Sequence, residues 1–208
     1  MSPRMKEMRG HMQEGAYQVR NSEFHLTPEE LSTLIAGAQS ERDRLMVLVL
    51  AFTGIRRAEL RSLRPADIDS VTERLIVRRG KGGKQRIVFL PKRVALDVCR
   101  YAGAHAEAFV FPGRNGGPMS LRNINYILTR VGKHAGVATP NPRYVGIGPH
   151  LLRHSFARNW KRSGGSIESL QKMLGHASAK TTLDCYGTED LREVEANYRE
   201  RCSRLVSS

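Results

Sequence analysis

Two strand-like runs on either side of a glycine-rich segment constrain the fold of this chain more than any other feature. Residues 74–78 and 85–90 are rich in aliphatic and β-branched side chains, and Gly80-Lys81-Gly82-Gly83 lies between them. Such runs around glycines predict a hairpin of two antiparallel strands with Lys81 at its tip. The glycines would allow the backbone at the tip to approach a binding partner closely.

The other patterned segments predict helices. Thr27-Pro28-Glu29-Glu30 combines an N-cap, a proline at the first helical position and the glutamate of a capping box. The apolar run at 45–52 predicts a buried helix over residues 43–52, which Gly54 interrupts. Further helical patterns lie at residues 58–63, 92–104 and 120–133, and another helix is expected at His150. The sequence therefore predicts a mainly α-helical fold with a small antiparallel β-sheet, an α+β class.

The two ends of the chain differ from this centre. Residues 1–25 carry mixed charge without apolar periodicity, which predicts a flexible basic arm ahead of one domain at 26–208. Residues 188–206 predict a C-terminal helix with an apolar stripe formed by Leu191, Val194, Tyr198, Cys202 and Leu205. That stripe must be buried, either on the chain's own domain or on a neighbouring copy.

The charge of the chain favours a polyanionic partner. It has 34 Lys and Arg against 20 Asp and Glu, a net charge of +14 and a pI near 10.3. A membrane is the competing partner, but no apolar run approaches the ~18 residues of a spanning helix. Residues 1–21 are too polar for a signal peptide. Three scattered cysteines predict a reducing cytoplasm and no zinc site, and no dense carboxylate cluster suggests bound magnesium.

Side chains suited to phosphate chemistry are concentrated in the second half of the chain, with two more upstream: His150, Arg153, His154, His176, Tyr186, Arg56 and Lys81. An arginine fork can hold two phosphate oxygens and stays charged at any working pH. A histidine can move a proton near neutrality, and a tyrosine can act as a covalent nucleophile. The set predicts attack on a phosphodiester by positioning and charge stabilisation, without a metal.

The motifs that carry these residues resemble the tyrosine recombinases, also called phage-integrase-type site-specific recombinases. TGIRRAEL resembles that family's first arginine box, GKGGKQR its β-hairpin lysine motif, HLLRHSFA its His-x-x-Arg box and LGHASAKTT the box that follows. The resemblance covers roughly residues 27–198 and implies the catalytic-domain fold of that family. The catalytic residues that it implies are Arg56, Lys81, His150, Arg153, His176 and Tyr186.

The resemblance also implies a mechanism and a function. Tyr186 would attack a DNA phosphodiester and form a 3′-phosphotyrosyl link, while the two arginines of the set hold the non-bridging oxygens. Lys81 would protonate the departing 5′-oxygen, His150 would assist proton transfer at the tyrosine, and His176 would hydrogen-bond the phosphate. Because the phosphotyrosine keeps the bond energy, no cofactor, ATP or metal would be needed. The implied function is that of a site-specific recombinase or integrase.

Two of the basic positions have neighbours that compete for the same role. Arg57 could be the phosphate ligand with Arg56 at the surface, although the family's register favours Arg56. Lys84 competes with Lys81 because both lie in the same basic turn. These alternatives stay open in the sequence alone.

Other members of the set also have structural alternatives. His154 could be a structural hydrogen-bonding histidine, and His176 could cap a helix that ends at Gly175. Cys185, beside Tyr186, fits a small apolar filler better than a rival nucleophile.

Basic and amide side chains outside the catalytic set are candidates for contacts with double-stranded DNA. The helical pattern at 120–133 places several of them away from its apolar stripe, where they form either a face along DNA or a solvated face. The predicted DNA contacts are Lys84, Arg86, Arg122, Asn123, Arg130 and Lys133.

Assembly is implied by the resemblance as well. A C-terminal segment in that family can dock on a neighbouring protomer, so we expect a homo-oligomer, a tetramer on paired DNA sites, joined through the 188–206 helix. Most members carry a separate core-binding domain ahead of the catalytic one, whereas residue 27 already begins the first capped helix here. We therefore expect that domain to be absent, in an isolated catalytic domain or a naturally short recombinase. The rival functions are a type IB topoisomerase-like relaxing enzyme and a DNA-binding protein that has lost catalysis.

Overall fold

A computed structural model describes residues 24–78, 85–105, 107–141 and 145–176 of the chain. Within these ranges the helices are α1 (Pro28–Ala36), α2 (Glu41–Thr53), α3 (Arg57–Leu60), α4 (Lys92–His105), α5 (Leu121–Ala135), α6 (Pro149–Arg162) and α7 (Ile167–Leu174). The strands are β1 (Ile68–Asp69), β2 (Arg74–Val77) and β3 (Arg86–Phe89), and a 3₁₀ turn at Pro65–Asp67 precedes β1. The predicted mainly α-helical fold with a small antiparallel sheet is confirmed.

The first helix begins where the sequence predicts it. The Glu30 backbone N–H donates to Thr27 Oγ1 over 3.2 Å, and the Thr27 backbone N–H donates to Glu30 Oε2 over 2.8 Å. These two bonds complete the capping box, with Pro28 at the first helical position. Local chemistry within four residues is enough to fix this helix start.

Helix α2 forms the centre of the hydrophobic core. Leu45, Met46, Val47, Val49 and Leu50 are fully buried, because α6, α1, α4 and α5 pack around α2. Burial of one such side chain contributes about 1.5–3 kcal/mol relative to leaving it in water. The predicted buried helix is confirmed, although Phe52 near its end is 43 % exposed.

The three strands form an antiparallel sheet in the order β1-β2-β3. Leu75 of β2 pairs with Val88 of β3, and both side chains are fully buried. The two strands predicted at residues 74–78 and 85–90 are therefore confirmed as β2 and β3. Strand β1 has only two residues, and the sequence analysis did not predict it. The tip between β2 and β3, with Lys81 and Lys84, lies outside the described residues.

The predictions for the chain ends also lie outside the described residues. This applies to the arm at 1–25, apart from residues 24 and 25, and to the helix at 188–206. Among the helices that the structure describes, none combines the length and apolar character needed to cross a membrane. The described part of the chain likewise shows no group of three potential metal ligands.

Candidate active site

The side chain of Arg153 joins the ends of two helices. Arg153 lies on α6 with only 7 % of its surface exposed, and its Nη1 donates to the Gly54 carbonyl oxygen over 2.5 Å. Its Nη2 donates to the Leu174 carbonyl oxygen over 2.8 Å and lies 3.0 Å from His176 Nε2. The last carbonyls of a helix lack intrahelical donors and carry partial negative charge, so a buried guanidinium stabilises both helix ends. Arg153 thereby brings the residues after α2 and α7 to one place.

Gly54 allows α2 to end at this position. Its φ of +60° is in the left-handed region, and a Cβ atom there would lie 2.5 Å from Cδ1 of Phe156. A side chain at residue 54 would therefore clash with α6 as well as strain the backbone. Because glycine stands here, the chain turns directly from α2 into the segment that carries Arg56.

Glu59 is the carboxylate on which Arg56 is fixed. Glu59 Oε2 accepts a hydrogen bond from the Arg56 backbone N–H over 2.7 Å, and Oε1 accepts from Arg56 Nη1 over 3.1 Å. The Glu59 side chain is 6 % exposed, whereas that of Arg56 is 30 % exposed. Burial by itself raises the pKa of Glu59, but hydrogen bonds from Arg86 and the Arg56 backbone, together with the charges of both arginines, lower it below its ordinary value.

Arg86, one of the predicted DNA contacts, binds Glu59 and the end of α7. Its Nη1 and Nη2 each donate to one carboxylate oxygen of Glu59 over 2.8 Å, and its Nε donates to the Met173 carbonyl oxygen over 2.7 Å. The Arg86 side chain is only 10 % exposed. All three nitrogens of Arg86 bind protein acceptors, and its contact with DNA stays a prediction.

Arg130 also has a protein partner, which the sequence analysis did not foresee. Its Nη2 lies 2.5 Å from Oδ2 of Asp43, a carboxylate that is fully buried on α2, and its guanidinium lies 5.8 Å from the ring centre of Tyr126. This ion pair fastens α5 to α2. The other three candidates on the same helix, Arg122, Asn123 and Lys133, are exposed as a DNA-binding face requires.

The two histidines of α6 differ in how strongly their surroundings disfavour protonation. His150 lies at the surface end of the helix, where partial burial of its ring and the charges of Arg57, Arg153 and Arg56 lower its pKa. For His154, burial and the neighbouring His150 and Arg153 lower the pKa to about 4. Both imidazoles are therefore neutral at pH 7, and a neutral imidazole can accept a proton.

His176 follows the glycine that caps α7, and its ring also lies beside Arg153. Gly175, with φ of +64°, ends α7, and the backbone N–H of His176 donates to the Gln171 carbonyl oxygen over 3.2 Å. This is the bond pattern of a glycine C-cap. The ring of the same residue reaches Arg153. The cap thus orients the imidazole toward the site.

A small cavity of about 220 Å³ adjoins His150. Arg57 and Asn125 line it, and Asn125 Oδ1 is buried without a hydrogen-bond partner among the described residues. Sequence reasoning missed both Asn125 and Glu59. Glu59 had a local signal, since it is the acidic residue three positions after Arg56 in TGIRRAEL, whereas Asn125 had none.

The described residues thus bring together four of the six predicted catalytic residues: Arg56, His150, Arg153 and His176. The remaining two, Lys81 and Tyr186, lie outside the described residues. Two arginines and two histidines beside two helix ends form a basic site that can hold an anion and exchange a proton with it.

Several known proteins are similar to this chain in sequence and fold. The phage integrase family model matches residues 25–192. Tyrosine recombinase XerA of Thermococcus kodakarensis is 35 % identical over 164 residues, which are 76 % of this chain and 55 % of that protein. Tyrosine recombinase XerC of Xanthomonas axonopodis pv. citri is 34 % identical over 144 residues, which are 68 % of this chain and 45 % of that protein. The chain spans about half the length of these curated relatives.

Solved structures agree with these sequence matches. The crystal structure of XerA recombinase superposes with a TM-score of 0.72 and 30 % identity, covering 85 % of this chain and 63 % of that one. The XerH site-specific recombinase bound to its difH substrate superposes with a TM-score of 0.69 and 24 % identity, covering 84 % of this chain and 53 % of that one. At that identity, the likeness to XerH concerns the fold alone.

Proposed function

Since the chain belongs to the phage integrase family, we propose that it cuts and rejoins DNA strands at specific sites as a tyrosine recombinase. The observation that carries this proposal is the buried Arg153, which gathers the Arg56 segment and His176 at one basic site. The relatives XerA and XerC are recombinases, which favours strand exchange over DNA relaxation and over DNA binding without catalysis.

The proposed reaction exchanges one phosphoester for another. Tyr186 Oη attacks the phosphorus, the bond to the 5′-oxygen breaks, and a 3′-phosphotyrosyl link forms. The tyrosine proton passes to the neutral His150, and Lys81 supplies a proton to the departing 5′-oxygen. A 5′-hydroxyl of a partner strand then attacks the phosphotyrosine and releases the tyrosine, so no ATP is consumed.

Charge on the phosphate is balanced by the arginines. Arg56 and Arg153 hold the non-bridging oxygens, and His176 donates a hydrogen bond to the same group. The role of His150 as proton acceptor is supported by its lowered pKa, which leaves the imidazole neutral and able to accept the tyrosine proton at pH 7. Charge balance by the arginines also explains why an acidic cluster for magnesium is unnecessary in the proposed chemistry.

The proposed partner is double-stranded DNA, and the proposed assembly is a tetramer on two paired sites. The domain would extend from residue 26 to the chain end, with the apolar stripe of the 188–206 helix buried on a neighbouring copy. The net charge of +14 supports association with DNA. So does the exposed face of α5 that carries Arg122, Asn123 and Lys133.

A trapping experiment on a randomised pool of DNA tests the proposal whatever the target sequence is. The protein is incubated, with chelator present, with nicked duplexes from this pool that lose a short fragment after cleavage and cannot be religated. Covalent protein–DNA adducts are then isolated on denaturing gels and sequenced. We expect adducts that converge on one sequence with the wild-type protein and none with Tyr186→Phe. Adducts that persist in Tyr186→Phe would refute the assignment of the nucleophile, and the absence of any adduct would refute the enzymatic function.

A further inference from the structure

We infer that Arg86 is a positioning residue for DNA cleavage: it sets the side chain of Arg56 through Glu59 and fixes the segment that carries His176 through Met173. The inference rests on the proposed function for its kinetic consequence, but its geometric content stands on described contacts alone. Arg86 binds protein acceptors with all three of its nitrogens, and it acts on the site through Glu59 and Met173.

The first contact is a bidentate ion pair. Arg86 Nη1 meets Glu59 Oε1 and Arg86 Nη2 meets Glu59 Oε2, each over 2.8 Å. Each of the same two oxygens also accepts one bond from Arg56, from its Nη1 over 3.1 Å and from its backbone N–H over 2.7 Å. Glu59 therefore accepts four hydrogen bonds, two from each arginine.

Because Glu59 is shared between the two arginines, more guanidinium N–H donors of Arg56 remain for a ligand. Among the described contacts, the carboxylate engages Arg56 through one guanidinium nitrogen, although an arginine side chain has five N–H donors. If Arg86 were absent, the buried Glu59 would have a single cationic partner and would favour a two-point pair with it. Arg56 would then turn toward Glu59 and compete less well for phosphate. Arg86 keeps Arg56 available by occupying the carboxylate itself.

The second contact fixes the end of α7. Arg86 Nε binds the Met173 carbonyl oxygen over 2.7 Å, and Arg153 Nη2 binds the next carbonyl oxygen, that of Leu174, over 2.8 Å. Two arginines from different elements thus hold consecutive carbonyls at a helix C-terminus, where cations are favourable. His176 follows two residues later. Any loosening of this turn moves its imidazole relative to Arg153.

Close packing shows that Arg86 and the turn fit one another. A Cβ atom on Gly175 would lie 3.0 Å from Cδ of Arg86 and 3.2 Å from its Nε. The aliphatic stem of Arg86 therefore lies directly against the glycine that precedes His176. One side chain of β3 thus connects the Arg56 segment and the His176 segment, which α3 and α7 present separately.

The test compares Arg86→Met and Arg86→Lys with a matched control, Arg44→Met. Arg44 also forms an ion pair with a largely buried carboxylate, since its Nη2 lies 3.2 Å from Oδ2 of Asp97, but this pair joins α2 to α4. Two quantities are measured on the duplex that the trapping experiment selects. They are the salt dependence of DNA affinity and the single-turnover rate of adduct formation at saturating DNA.

We expect Arg86→Met to form the adduct about 10²-fold more slowly, because a misplacement of about 1 Å has that effect on positioned groups. The salt slope of DNA affinity should fall by less than one phosphate contact, because Arg56 keeps its charge at the site. Arg86→Lys should recover part of the rate, since it keeps the charge beside Glu59 but lacks the fork. Adding Arg86→Met to Glu59→Gln should slow the reaction far less than adding it to the wild type, because both changes act through one pair. Arg44→Met should keep the wild-type rate.

Two results would overturn the inference. A salt slope reduced by one phosphate contact, with an unchanged rate at saturation, would make Arg86 a DNA contact. An unchanged rate together with an unchanged slope would leave Arg86 only a structural role. Should Arg86→Met not fold, the rate of Arg86→Lys relative to Arg44→Met decides between the same outcomes.

A spectroscopic measurement separates this inference from the proposed function. The Nε–Hε resonance of Arg56, assigned by its loss in Arg56→Lys, is compared in the ¹⁵N spectra of wild-type, Arg86→Lys and Arg44→Met proteins. We expect it to shift in Arg86→Lys and stay in place in Arg44→Met. If the wild type forms no adduct, the proposed function fails, and this resonance alone decides the inference. An Arg56 resonance that does not move would refute it.

Discussion

Burial, together with nearby positive charge, lowers the pKa of both histidines on α6, and the consequence differs between the two side chains. For His150, a lowered pKa leaves the ring able to accept a proton at pH 7, which the proposed reaction requires. For His154, whose pKa falls to about 4, neutrality is a condition for burial next to Arg153. One is a candidate proton acceptor, and the other is a stability liability in acid.

His154 should make the domain less stable as the pH falls from 6.5 toward 4. The unfolded state binds a proton near the ordinary histidine pKa of about 6.5, whereas the folded state binds it only near 4. Between these values the unfolded state holds more protons, so stability rises with pH and falls on acidification. Relative to pH 7, the free energy of unfolding at pH 5 should be lower by about 2 kcal/mol from this group.

Urea denaturation at pH 7 and pH 5 measures this loss. The comparison protein is His154→Asn, which has no titrating imidazole at that position and should show a smaller difference between the two pH values. Equal differences in both proteins would show that His154 does not carry the effect.

The C-terminal caps of α5 and α7 offer a matched pair of glycines. Gly136 and Gly175 have nearly the same left-handed φ, +66° and +64°. A Cβ atom on Gly136 would meet nothing within 4 Å, whereas one on Gly175 would press on Arg86. The two positions therefore separate backbone strain from the packing of Arg86.

Gly136→Ala should lower the free energy of unfolding by about 1–2 kcal/mol, the cost of a left-handed alanine. Gly175→Ala should cost more, because Arg86 is held by Glu59 and Met173 and cannot yield freely. It should also slow adduct formation, which Gly136→Ala should leave unchanged. Chemical denaturation and the trapping assay give both quantities. Equal costs and equal rates would mean that Arg86 moves aside readily.

The elements also show where sequence reasoning succeeds and where it ends. The α1 capping box and the glycine ends of α2 and α5 were predictable, because each depends on signals within a few residues. The pairing of Arg86 with Glu59 was not, because 27 residues separate them and their contact depends on how the whole domain places β3 and α3. The same is true of Arg130 and Asp43, which are 87 residues apart. Strand β1 is too short for any periodicity.

Over the whole molecule, the excess of positive charge is divided between arginines that hold the fold and cations that face solvent. Arg86 and Arg130 each hold a buried carboxylate. Arg122 and Lys133 are exposed on α5. The net charge of +14 therefore overstates the number of cations available to phosphates. Salt dependence of DNA binding distinguishes the two groups, because each phosphate contact contributes about 0.9 to the slope of log K against log salt concentration.

We expect Arg122→Met and Lys133→Met each to reduce this slope on a non-specific duplex by about one phosphate contact. Arg130→Met should leave the slope unchanged and lower the free energy of unfolding by about 2 kcal/mol, because Asp43 is buried and keeps only Arg42 as an ion-pair partner among the described residues. Adding Asp43→Asn to Arg130→Met should recover much of that stability, since the unpaired charge is gone. A slope that falls as much for Arg130→Met as for Lys133→Met would place Arg130 on the DNA and make its ion pair with Asp43 secondary.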